Sequence, residues 1–178
     1  MEIDCIIGVD PGRTGGLAVR FHGKRKVYKM PGEINDLQEL FKYYQEITDS
    51  MLVVIEKVQL LPYDVHTDDI KKFGRAMRVQ KLLAQYEQMK TILIIMKIPF
   101  VTVTPRSWIT YLNLNTKNKT REERKRIYRD FAQMHWPVKV NLDVADSVCI
   151  LTYAERRLRF DPDFTSELPK ELQTKMFE

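Results

Sequence analysis

Histidine, cysteine and long apolar runs are all scarce in this chain. The three histidines, His22, His66 and His135, are scattered without ligand spacing, which argues against a zinc site. The two cysteines, Cys5 and Cys149, belong to no Cys-x-x-Cys pair and sit in apolar runs, so they read as buried thiols. The longest strongly apolar stretch is near Ile92–Met96, flanked by Lys90 and Lys97, far too short for a membrane span. The opening MEIDC carries no basic segment followed by an apolar one, so no secretion signal is expected. The expected location is therefore the cytoplasm of a bacterial cell or a phage-infected one. Glycine numbers only seven, yet four of the seven fall between positions 8 and 16.

What is present describes a globular α/β chain. Hydrophobic residues make up 44% and charged residues 30% of the 178 positions, and such a length buries one core without staples. The reading is one domain over residues 1–160 and a polar, proline-punctuated and loosely attached tail over 161–178. Formal net charge is +5. Seven basic residues between Lys117 and Arg129 face only Glu122 and Glu123, so that segment alone carries the excess. A second basic run is Lys71, Lys72, Arg75, Arg78 and Lys81. Two basic stripes on a neutral background suggest a polyanion partner.

The chain opens on a buried strand, Ile3–Asp10, then a glycine-rich turn and Gly16–Phe21, a hairpin. Lys26–Met30 is a third strand. Asn35 or Asp36 caps a helix with Leu37, Leu40, Phe41, Tyr44 and Ile47 at helical spacing. Met51–Ile55 is a continuous apolar run of strand length that ends on Glu56. A long helix follows from Asp69 to about Lys97, although its last part, Thr91–Met96, also reads as a strand. Phe100–Val103 is a short strand, and Thr104-Pro105 starts a helix. Thr120-Arg-Glu-Glu123 is a capping box that opens the basic helix, which Trp136-Pro137 ends. Asn141 or Leu142 leads into the last major helix. This order gives a mixed sheet of about five strands flanked by helices.

Three places now share a feature. Asp10 ends the first strand, Glu56 ends the fourth, and Asp143 and Asp146 open the last helix, where an i, i+3 pair shares a face. Taken singly, each acid also fits a turn, a strand end or a helix dipole. Taken together on this topology, they are expected to converge. Clustered carboxylates without histidine suit a hard cation such as Mg²⁺, and two such ions promote in-line phosphodiester hydrolysis. The glycine-rich turn lets a backbone pass close to Asp10.

At this point the sequence resembles a known family. IGVDPGRTGG at 7–16, VVIEKV at 53–58, KFGRAMRV at 72–79 and NLDVADSVCILTYA at 141–154 resemble, in order, the motifs of the RuvC-like Holliday junction resolvases. The resemblance implies a ribonuclease-H-like fold and a homodimer that cuts opposed strands of a four-way DNA junction. It implies Mg²⁺- or Mn²⁺-dependent hydrolysis leaving 5′-phosphate and 3′-hydroxyl ends. The family's four acids fall on Asp10, Glu56, Asp143 and Asp146. Lys72-Phe73-Gly74-Arg75 matches the stretch where the long helix meets its partner and the DNA. One position departs: bacterial members tend to carry an aromatic three residues after the glutamate, and here Gln59 stands there, with Leu60, Leu61 or Tyr63 as substitutes. Thr104-Pro-Arg-Ser-Trp108 looks more like phage-type or divergent members, and Trp108 reads as core. Arg75, Arg78, Lys117, Lys119, Arg121 and Arg124 are the candidates for phosphate contacts, with Lys119 also a candidate to assist at the scissile phosphate.

Other readings use parts of the same pattern. Actin-like ATPases share the strand and Asp-x-Gly-x-Thr-type turn, but need a second domain and phosphate loop for which 178 residues with seven glycines leave little room. A ribonuclease-H-like nuclease acting on RNA·DNA hybrid or flaps would use the same acids. A protein that only binds junctions would not need them.

Overall fold

The computed structural model describes residues 3–59, 70–170 and 172–173. Five strands form one mixed sheet in the order β3-β2-β1-β4-β5. These are β1 (Cys5–Asp10), β2 (Gly16–Phe21), β3 (Lys24–Lys29), β4 (Met51–Glu56) and β5 (Phe100–Val103). The first three form antiparallel hairpins, while β4 pairs parallel to β1 and β5 parallel to β4. Phe21 pairs with Lys24, so His22-Gly23 forms a two-residue turn with positive φ at both positions. That turn starts β3 two residues earlier than expected and ends it at Lys29.

Among the described residues the sheet is accompanied by the helices α1 (Ile34–Glu46), α2 (Ile70–Ile95), α3 (Pro105–Tyr111), α4 (Arg121–His135), α5 (Ala145–Phe160) and α6 (Pro162–Glu167). None is long and apolar enough to cross a membrane among the described residues. Thr104 caps α3 by accepting from the Ser107 amide, and the capping box at Thr120 and Glu123 opens α4 as its sequence spells out. Three boundaries differ from expectation. Glu33, not Asn35 or Asp36, is the N-cap of α1, leaving Asp36 in the first turn to complement the helix dipole. Thr91–Ile95 is the end of α2, not a strand. α5 begins at Ala145, because the Asn141 side chain accepts from the amides of Asp143 and Val144 and holds them in a turn.

The strand period of two sorts the core into two halves. Ile7, Val9, Leu17, Val19, Val53 and Ile55 pack against α1 and α2, with Cys5 among them. Ile6, Ala18, Leu52 and Val54 pack against α3, α4, α5 and α6, with Cys149 among them. The two cysteines are thus free, buried and in different halves of the core. Strands β1 and β4 are covered on both faces, which is why each reads as an unbroken apolar run.

Helix α5 is the central support of the site. Its residues Ala145 to Ala154 are buried without interruption. It lies so close to β1 that a Cβ on Gly8 would meet the Ser147 carbonyl oxygen at 2.5 Å and the Leu151 nitrogen at 2.6 Å. At Gly16 a Cβ would come within 2.7 Å of Val144. The expected loose tail is also corrected. Phe164, Leu168 and Leu172 are buried in the core beside α5, and Asp161 caps α6.

Candidate active site

The register of β1 and β4 sets the first two acids. Val9 pairs with Ile55, and Asp10 and Glu56 are the next residues of each strand. Both are even-numbered, like Gly8, so both side chains emerge on the α5 face. Ser147 lies over Gly8, which brings Asp146 in the first turn of α5 to the same end of the sheet. Asp10 is fixed by its own loop: Gly12 N–H donates to Asp10 Oδ1 at 3.2 Å, and Gly15 N–H to the Gly12 carbonyl at 2.7 Å. A Cβ at Gly15 would press on the Asp10 carbonyl oxygen.

These three carboxyls feel one another. Asp10 is pushed up to about 6, by burial first and then by the charge of Asp146. Glu56 is pushed up to about 8, by burial and then by the charge of Asp10, while a hydrogen bond from Trp108 opposes the rise. Asp146 is also raised by burial, against the pull of Lys125 and Arg121. Its Oδ1 is buried with no hydrogen-bond partner among the described residues, and its Oδ2 accepts from Lys125 Nζ at 3.0 Å. Among the described residues no group of three His, Cys, Asp or Glu side chains is arranged so that it could hold a metal ion. Lys125 instead supplies positive charge that acts on Asp10, Glu56 and Asp146 alike.

Asp143 stands apart. It lies in the turn before α5, not on the helix face shared with Asp146, and it pairs with Lys29 Nζ at 3.4 Å on the more exposed side. The expectation of one helix face is corrected by the Asn141 turn.

Against solved structures, the chain superposes on Thermus thermophilus RuvC in complex with Holliday junction substrate with a TM-score of 0.51 at 15% identity, covering 88% of this chain and 96% of that one. A second Thermus thermophilus RuvC structure gives a TM-score of 0.49 at 17% identity over 87% and 95% of the two chains. The fold is RuvC-like. It belongs to the ribonuclease-H-like class anticipated from the motifs. No family model and no curated protein matches the sequence.

Among the basic candidates, those described are exposed on α2, on α4 and in the loop before α4. Arg121 and Arg124 are exposed on the first turn of α4, close enough for Arg121 to act on Asp146. Lys117 and Lys119 are exposed in the loop before it, and Lys119 lies 3.8 Å from Glu123. Arg78 is exposed on α2, one turn before Leu82, whose side chain would lie 4.0 Å from a Cβ on Gly12. The side chains of Lys72, Phe73 and Arg75 lie outside the described residues, as do Leu60, Leu61 and Tyr63; Gln59 is exposed.

Two site residues escaped the sequence reading. Lys125 is one of seven basic residues in its run, and no local signal marks it. Trp108 is core, as expected, at 1% exposure, but its indole N–H also donates to Glu56 Oε2 at 2.8 Å. A buried indole N–H needs an acceptor, and that requirement was the available signal.

Proposed function

We propose that this protein is a metal-dependent endonuclease that resolves four-way DNA junctions, with Asp10, Glu56, Asp143 and Asp146 as its acidic residues. The observation that carries the reading is the convergence of Asp10, Glu56 and Asp146, delivered by three separate elements to one end of a RuvC-like sheet, where burial raises all three and the charge of Asp146 adds to the rise of Asp10 and Glu56. Buried carboxylates so converged, together with an orphaned Asp146 Oδ1, fit a divalent cation held by oxygen donors. The four acids would hold Mg²⁺ or Mn²⁺, in one or two ions, and the metal when bound supplies water activation and stabilisation of the leaving oxygen.

The chain's own groups do the rest. Trp108 orients Glu56 through its indole N–H, and the Asp10 loop brings backbone close without a side chain in the way. Lys125 offsets negative charge that would otherwise repel a phosphodiester. Arg121 acts on Asp146, and with Arg124, Lys117 and Lys119, exposed on the same helix start and the loop before it, it would meet the phosphates of a DNA arm. Met77, Ile94 and Ile95 are exposed apolar residues on α2 and support pairing with a second copy, as two opposed cuts require.

The test is a cleavage assay with Mg²⁺ on a mobile four-way junction, linear duplex, a flap and an RNA·DNA hybrid, comparing Asp146→Asn with wild type. Paired symmetric nicks in the junction alone, lost by about 10³-fold or more in the variant while junction binding persists, support the reading. Preference for the hybrid or flap overturns the substrate. Binding without cleavage in either Mg²⁺ or Mn²⁺ overturns the chemistry.

A further inference from the structure

The end of the sheet remote from the acids carries a second charged feature. Residues before and within β1, the last part of β2 and the C-terminal half of α5 enclose an open cleft of about 810 Å³. Its floor is apolar, from Ile3, Ile6 and Leu158. Around that floor four arginines, Arg20, Arg25, Arg156 and Arg159, meet one carboxylate, Glu155. Glu155 is engaged by Arg20 Nε and Arg25 Nη2, each at 3.2 Å.

The other two guanidinium groups are held differently. His135 Nδ1 sits 2.8 Å from the Phe131 carbonyl, which only a donor satisfies, so the neutral Nε2 is an acceptor and receives Arg156 at 2.9 Å. Arg156 is thus positioned without being neutralised. Arg159 lies over the ring of Phe160 at 5.1 Å, and Phe160 itself is 67% exposed at the lip of the cleft. Among the described residues neither Arg156 nor Arg159 forms an ion pair with a carboxylate.

An exposed aromatic face, two uncompensated guanidinium groups and an apolar floor are the parts that take an unpaired nucleotide: the base stacks on the ring and the phosphate meets the arginines. We propose that this cleft is a second nucleic-acid site, which holds a single-stranded stretch of DNA. Ile3 and Asp10 are seven residues apart, so at about 3.3 Å per residue the cleft lies roughly 20 Å from the acids. It is a separate contact from the acids, and it stands whether or not the nuclease reading does.

The test measures binding in EDTA, where no cutting interferes, using the full chain. Fluorescence anisotropy follows a short oligo-thymidylate against wild type, Arg156→Gln/Arg159→Gln and Phe160→Ala, over a salt series. Two lost phosphate contacts should reduce the salt slope by about 1.4, and the lost ring should weaken binding roughly fivefold or more. Phe160→Leu keeps the apolar packing and should bind like the alanine variant, which separates stacking from folding. A strand carrying 5-bromouracil should cross-link to the peptide containing Phe160. Unchanged slopes and affinities, or cross-links confined to other peptides, overturn the proposal. Thymidine monophosphate or inorganic phosphate displacing the strand at equal concentration overturns it in favour of a small-anion site.

Discussion

Glu56 shows how one carboxyl is tuned from two directions. Burial and the neighbouring Asp10 push it up to about 8, while the Trp108 N–H opposes them. The sign of the stability effect follows. In the metal-free protein Glu56 keeps its proton up to about pH 8, whereas in the unfolded chain it releases it near 4.5. Between those values the native state binds more protons, so stability falls as pH rises through that window. Asp10, raised to about 6, adds to the fall over its lower part. Glu56→Gln still accepts from Trp108 and loses the titration. Thermal melts in EDTA between pH 5 and 8.5 should therefore fall for wild type and be flatter for the variant; equal slopes would mean that Glu56 ionises freely. Trp108→Phe keeps an aromatic ring beside Tyr128 but removes the donor together with part of the buried indole. Losing a hydrogen bond to a charged group is expected to lower single-turnover cleavage about tenfold, with junction affinity in EDTA unchanged. Neither partner could be paired from sequence: Trp108 and Glu56 are 52 positions apart, and Lys125 and Asp146 are 21 apart. The positions of Asp10 and Glu56 at strand ends and of Asp146 in the first turn of α5 were legible, because these are local patterns; that of Asp143, in the turn before α5, was not.

At the scale of the element, α5 against β1 is the contact on which the site rests. Gly8→Ala would drive a Cβ into the backbone of Ser147 and Leu151, atoms that cannot rotate away. The helix must shift, carrying Asp146 with it. The expected loss is about 3 kcal/mol in urea unfolding, with cleavage falling further than binding. An unaltered melting curve would show that α5 has slack that the structure does not indicate. Elements with self-contained signals were read to within a residue or two, such as the capping box of α4 and the apolar run of β4. The start of α5 was misplaced because a side chain, Asn141, took the amides that a helix would otherwise have ordered. Composition also hid the packing of this region, since Phe164, Leu168 and Leu172 are single apolar residues four apart in a polar stretch.

Across the whole molecule the chain's last described part stabilises its first. Phe164 is fully buried next to Tyr153 on α5, which in turn covers the sheet. Phe164→Ala is expected to lower stability by about 3–5 kcal/mol, read by chemical denaturation; a loss below about 1 kcal/mol would restore the picture of a dispensable tail. The fold as a class was legible because strand and helix order alone restricts the topology.

The β1–α5 contact also imposes an order in time. Asp146 is made 136 positions after Asp10. The surface of β1 that α5 covers has no cover until that late helix is synthesised. A growing chain therefore holds an incomplete set of these acids over the 136 positions that separate Asp10 from Asp146.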